Sequence, residues 1–132
     1  MDHKRFAAAM FLAGAASLAP LAAQAADAGS EITTAATHAR LAAQGSDITA
    51  VHTHLHHAIN CLVGPGGTGF DAKELNPCAN SGDGAIPDST SASTKQALQA
   101  ALAKAESGLA ATDVDAGRKD AASTEAMLEA IK

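Results

Sequence analysis

Aromatic residues are nearly absent from this chain. It has no tryptophan, no tyrosine and three phenylalanines, and two of these, Phe6 and Phe11, lie close to the N-terminus. Beyond them Phe70 stands alone, so a core has to be built from Ala, Leu, Ile and Val. This composition favours closely packed helices over a sheet, in which β-branched and aromatic residues dominate. It also gives little support to flavins and other cofactors that stack between aromatic walls.

A long uncharged apolar run lies near the N-terminus, where His3-Lys4-Arg5 precedes an apolar stretch over residues 6–21. Ala23-Gln24-Ala25 fits the small-x-small rule of signal peptidase, so residues 1–25 are predicted to be a signal peptide and residues 26–132 a single domain. A membrane anchor is the weaker interpretation, because the run is alanine-rich and short. A lipoprotein is not indicated, because no cysteine stands at the cleavage point. The predicted location is the periplasm, or outside the cell.

Positive charge is scarce. Cleavage would remove two of the nine basic residues and one of the fourteen acidic ones, which leaves a net charge of −6. This balance argues against nucleic acid or an anionic membrane as a partner and is compatible with cations.

Hydrophobic periodicity predicts an all-α chain with four helices. The first two are expected over about residues 31–44 and 47–63, the third from near Ser91 and the fourth from Thr112-Asp113. Short capped turns join the first to the second and the third to the fourth. We therefore expect two helical hairpins that form an up-down four-helix bundle.

A long loop over residues 64–90, rich in Gly, Pro, Asn, Asp and Ser, is predicted between the two hairpins. Two cysteines in an exported chain most often pair, and a Cys61–Cys78 disulfide would hold this loop against the second helix. The chain-entropy model gives such a bridge about 3 kcal/mol. Phe70 is expected to bury its ring against the bundle. The other interpretation, in which Cys61 is a metal ligand or redox thiol, needs a reducing compartment.

Four of the six histidines fall within six residues of the second predicted helix. Relative to the apolar stripe centred on Leu55, His52 and His56 share one flank at i, i+4 spacing, His54 lies on the opposite flank and His57 points outward. A pair of imidazoles at this spacing can hold one ion, and imidazole suits Zn, Cu and Ni.

The pair supplies only half of a metal site. His38, midway along the first helix, is the best third ligand if the hairpin brings it alongside His52 or His56, and Asp47, Met127 or water could complete the shell. The alternative is that the histidines are ordinary polar residues on a helix flank. A haem held between His38 and His52 is a further alternative. Covalent haem is excluded because neither cysteine begins a C-x-x-C-H motif.

The segments Thr37-His38-Ala39-Arg40-Leu41, Ser46-Asp47 and His52-Thr53-His54-Leu55-His56-His57 resemble small periplasmic histidine-rich metal-binding proteins. The resemblance covers residues 31–63 and implies a four-helix bundle that sequesters copper or other divalent ions. The third and fourth predicted helices carry no histidine, which favours a single site over a high metal capacity.

These observations predict a non-catalytic protein that binds a divalent transition metal, with copper preferred over zinc or nickel, for sequestration or delivery. The ligands would be His52 and His56, then His38, with His54 and His57 secondary. The second hypothesis is a disulfide-stapled interaction module of the cell envelope that uses the loop over residues 64–90. An enzyme is not indicated, because no nucleophile elbow, phosphate-binding loop or paired-carboxylate motif occurs.

Overall fold

The computed structural model describes residues 26–131, and within that range it is all helical. The four long helices are α1 (Ala28–Ala43), α2 (Ile48–Val63), α4 (Ala92–Ala110) and α5 (Val114–Glu129), and a single turn, α3 (Ala85–Asp88), precedes α4. The all-α prediction is confirmed. The up-down order of the helices stays a prediction, and the signal peptide expected over residues 1–25 lies outside the described residues.

Aspartate side chains fix where three of the helices begin. Asp47 Oδ1 accepts a hydrogen bond from the N–H of Ala50, and Asp113 Oδ1 accepts one from the N–H of Ala116, so α2 and α5 begin where the sequence predicted. Asp27 caps α1 in the same way through the N–H of Ser30. The first helix therefore begins at Ala28, three residues before the predicted start.

Small side chains let the helices approach closely. Helix α1 packs against α2 and α5, and α4 packs against α5 and α2. The core combines leucine, isoleucine and valine from α2 with alanines that are at most 1% exposed, namely Ala35, Ala36, Ala39, Ala42, Ala58, Ala85, Ala101, Ala105 and Ala121. No helix of the described range is long and apolar enough to span a bilayer.

The Cys61–Cys78 disulfide is present and ties the chain that follows α2 back to this helix. We call residues 64–78 the disulfide-closed segment. Phe70 packs against the core from this segment, as the sequence predicted. Gly64 ends α2 with φ +66°, and a Cβ there would overlap the carbonyl of Asp83, so the chain beyond Cys78 returns to the end of α2 at this glycine. The one-turn helix α3 interrupts the region that the sequence predicted to be loop throughout.

Candidate metal centre

Three histidines from two helices come together about two helical turns from the connection between α1 and α2. Among residues 26–131, one group of His, Cys, Asp or Glu side chains is close enough to hold a metal ion, and it comprises His38, His54 and His57. One ligand atom from each residue lies within 4.8 Å of the others. We call this group the three-histidine centre.

The two helices bring these residues together for a simple geometric reason. The connection between α1 and α2 is short, and Ser46 lies in it. His38 and His54 are each eight residues from Ser46, so a tight hairpin places them side by side. His57 follows His54 at i+3 and therefore lies on the same face of α2.

The imidazole rings contact one another directly. The ring centroids of His38 and His57 are 5.1 Å apart, those of His38 and His54 are 5.5 Å apart, and those of His54 and His57 are 5.6 Å apart. The Nδ1 atoms of His38 and His54 are separated by 3.3 Å. In the metal-free protein this is a long hydrogen bond, in which the tautomers decide which ring donates.

Burial keeps His38 neutral. Removal of the ring from water lowers the pKa of His38 from 6.5 to about 4, and the neighbouring His57 and His54 add to the fall. Burial also lowers the pKa of His57, an effect that His54 increases and the Glu74 carboxylate opposes. The neutral imidazole is the form that binds a metal ion. His38 is therefore in the ligating state at neutral pH.

The disulfide-closed segment covers the outer side of α2. Asn60, which is fully buried, donates from Nδ2 to the carbonyls of Asp71 and Leu75 and accepts at Oδ1 from the N–H of Asp71. These hydrogen bonds hold the segment against α2, with Glu74 Oε2 3.6 Å from His57 Nε2 and Asp71 Oδ2 3.8 Å from His56 Nδ1.

The expectation that His57 points outward is wrong. This residue is 8% exposed, because residues 71–75 fold back over α2 and His38 contacts the ring from α1. Placing the histidines around a single helix could not anticipate this, since a helical wheel contains neither the neighbouring helix nor the loop.

The pair that the sequence favoured, His52 and His56, lies outside the three-histidine centre. His52 Nε2 lies 3.1 Å from the carbonyl oxygen of Ala111, in the turn between α4 and α5. A carbonyl only accepts, so this nitrogen carries the proton and does not offer a lone pair. His56 faces Asp71. The structure thus brings His38 to His54 and His57.

Two further sequence-based suggestions are revised by these contacts. Asp47, proposed as an extra ligand, uses Oδ1 to cap α2. A haem between His38 and His52 finds no support either, because the His38 ring contacts the rings of His54 and His57, and the Nε2 atom of His52 is bound to Ala111.

No protein-family model, curated protein sequence or solved structure matches this chain. The functional inference therefore depends on the geometry of the site.

Proposed function

We propose that this protein binds a divalent transition-metal ion at the three-histidine centre and serves to sequester or deliver it. The observation that carries the proposal is the convergence of His38, His54 and His57, from two helices, within 4.8 Å. Ordinary surface histidines repel one another when protonated and gain little from such contact. A shared ion accounts for three imidazoles brought together and partly removed from water.

Imidazole suits copper, zinc and nickel, so the three-histidine centre can hold any of these ions. We keep Cu(II) first, as the sequence favoured, with Zn(II) and Ni(II) after it. Zn(II) serves as the probe in several of the experiments because it has no redox chemistry.

Three protein ligands leave the fourth position of a tetrahedral ion to water. Binding and release of an ion, without catalysis, is the role we propose.

The proposal includes an exported protein. It takes residues 1–25 as a signal peptide, the periplasm as the compartment and an up-down arrangement of the four long helices. The Cys61–Cys78 disulfide is compatible with an oxidising compartment. The packing of α1 with α2 and of α4 with α5, each pair joined by a short turn, supports the two proposed hairpins.

A calorimetric titration with Zn(II) and then Cu(II) tests the proposal on the oxidised, untagged protein from Ala26 onward. The variant with both His38→Ala and His54→Ala is expected to lose stoichiometric binding. The matched control, with both His52→Ala and His56→Ala, removes the same number of imidazoles and is expected to retain it. Binding that survives the first change, or that disappears equally in both, would overturn the assignment.

An interaction module remains the second candidate, and one observation favours it. The disulfide-closed segment and α4 border a groove of about 610 Å³, whose walls include Val63, Gly67, Ile86, Lys95 and Leu102. If Zn(II) and Cu(II) bind only weakly and at many sites, an envelope partner that fits this groove becomes the better explanation. Cells carrying Leu102→Asp would then resemble cells that lack the protein, while cells in which the three histidines are substituted would not.

A further inference from the structure

The buried ring of His57 has one nitrogen with a polar neighbour and one without. Nε2 lies 3.6 Å from Glu74 Oε2, within ion-pairing range. Nδ1 is buried and has no hydrogen-bond partner in the part of the chain that the structure describes. A buried polar atom without a partner costs about 1–3 kcal/mol, so this nitrogen calls for an explanation.

The carboxylate determines which nitrogen carries the proton. A carboxylate only accepts hydrogen bonds, so it favours the tautomer of His57 with hydrogen on Nε2. In that tautomer Nδ1 carries the free lone pair. The nitrogen without a partner is then the one that can bind an ion.

The backbone around Glu74 is held in place by hydrogen bonds to the buried side chain of Asn60. Asn60 lies one turn after His57 on α2 and holds the backbone of residues 71–75 through the carbonyls of Asp71 and Leu75 and the N–H of Asp71. The neighbouring Cys61 ties the same segment to α2 through Cys78. The loop therefore presents the carboxylate to the ring from a fixed backbone.

We propose that Glu74 is a positioning residue of the metal centre, which holds the His57 ring with its proton on Nε2 and its Nδ1 lone pair directed to the ion. The inference rests on the proposed function. According to this inference, the disulfide-closed segment tunes the metal affinity of the site, although the three ligands themselves lie on α1 and α2. Outer partners of metal-bound histidines commonly change affinity by 10–100-fold.

The same loop supplies a matched control. Asp71 approaches Nδ1 of His56, at 3.8 Å, much as Glu74 approaches Nε2 of His57, but His56 is not part of the three-histidine centre. Both carboxylates are one third exposed, so their substitution leaves the core intact. Loss of a nearby negative charge is common to both changes. Only the Glu74 change should affect a ligand.

The test combines the tautomer of His57 in the metal-free protein with the affinity for Zn(II). Long-range proton–nitrogen spectra of the ¹⁵N-labelled histidines report the tautomer, and titration with zinc alone reports the affinity. In the unsubstituted protein we expect hydrogen on Nε2 of His57. Glu74→Ala should mix the two tautomers and weaken zinc binding by about 10–100-fold. Glu74→Gln, whose amide oxygen can also face the N–H of Nε2 as an acceptor, should keep the tautomer and most of the affinity, and Asp71→Asn should change neither.

The two readouts separate this inference from the proposed function. If the unsubstituted protein binds no metal, the proposed function fails, and with it the role of Glu74 in binding. If zinc binds but Glu74→Ala keeps the His57 tautomer and an affinity within about twofold of the parent, the positioning role is overturned while the metal centre stands. An equal loss of affinity in Asp71→Asn would also overturn it, because the effect would then be one of general charge.

Discussion

The Nδ1 atoms of His38 and His54 lie 3.3 Å apart, although the residues belong to different helices. An ion bound there would connect α1 to α2 at a point about two helical turns from the turn that joins them. Because such a connection exists only in the folded chain, metal binding should add directly to the stability of the fold.

The first prediction is a zinc-dependent gain in stability. At a free zinc concentration of one hundred times the dissociation constant, the free energy of unfolding should rise by about 2.7 kcal/mol. Thermal unfolding should shift upward by about 10–20 °C in a domain of this size. His38→Ala should abolish the shift and His52→Ala should preserve it, as followed by circular dichroism. A shift of the same size in His38→Ala would show that zinc stabilises the protein at another place.

The second prediction concerns the attachment of the disulfide-closed segment. Asn60→Ala removes the hydrogen bonds to Asp71 and Leu75 and leaves buried backbone groups without partners. We expect the free energy of unfolding to fall by about 2–4 kcal/mol in urea, with the disulfide intact. Asn80→Ala, at an exposed position two residues after Cys78, should cost less than about 0.5 kcal/mol. Equal effects of the two changes would contradict the role given to Asn60.

The third prediction is a pH effect that originates at Glu31. This fully buried side chain accepts a hydrogen bond from the N–H of Gly84. Burial raises the pKa of Glu31 from 4.5 to about 7; the Gly84 N–H opposes the rise, and Asp88 and Asp27 add to it. The folded state therefore holds this proton more tightly than the unfolded chain does. Its contribution to stability is complete below about pH 4.5 and is lost as the pH rises towards 7.

Glu31→Gln isolates this contribution, because the amide keeps an acceptor for Gly84 and does not ionise. The free energy of unfolding of the variant minus that of the parent should increase by about 3 kcal/mol between pH 4.5 and pH 7.5, measured in urea without metal. Taking the difference cancels the opposite slope from His38, whose lowered pKa favours folding at higher pH. Glu106→Gln, at an exposed position on α4, is the control and should show no such trend. A difference that is flat with pH would refute the assignment.

The fourth prediction tests how closely the helices pack. A Cβ on Gly108 of α4 would lie 2.7 Å from Cδ1 of the buried Leu55 and 3.3 Å from Cβ of Asp120. Overpacking of this kind costs about 1–3 kcal/mol, more than the gain of about 1 kcal/mol in helix propensity. Gly108→Ala should therefore lower stability.

Gly29→Ala provides the comparison for this change. Gly29 is exposed in the first turn of α1, and its added Cβ would have an ordinary contact of 3.4 Å with Asp27. This variant should gain about 0.5 kcal/mol from the lower entropy of its unfolded chain. If both alanines stabilise the protein alike, the helices do not pack as closely as described.

The helices were predictable because their signals are local. Apolar residues at helical spacing and the capping residues Asp47 and Asp113 placed α2 and α5 to within a residue or two. The start of α1 was missed because Ser30 also looks like a cap, while Asp27 makes the capping hydrogen bond. The single turn α3 was missed because four residues that include Pro87 carry no periodic pattern.

The three-histidine centre was predictable only in part, because it is built by long-range contacts. The sequence indicated the helix that carries two of its histidines and named all three residues as candidates, but it ranked His52 and His56 first from their i, i+4 spacing. The equal distance of His38 and His54 from Ser46 was the signal that could have paired them. The role of His57 was not available in this way, because its burial depends on where Asn60 and the disulfide place residues 71–75.

Crystals of the zinc-loaded protein, measured on both sides of the zinc absorption edge, would show whether His38, His54 and His57 share one ion. The anomalous difference map should show one strong peak about 2.0–2.1 Å from a ring nitrogen of each of His38, His54 and His57, with Nδ1 as the ligand atom of His57. A peak at His52 and His56, or zinc scattered weakly over the surface histidines, would contradict the account.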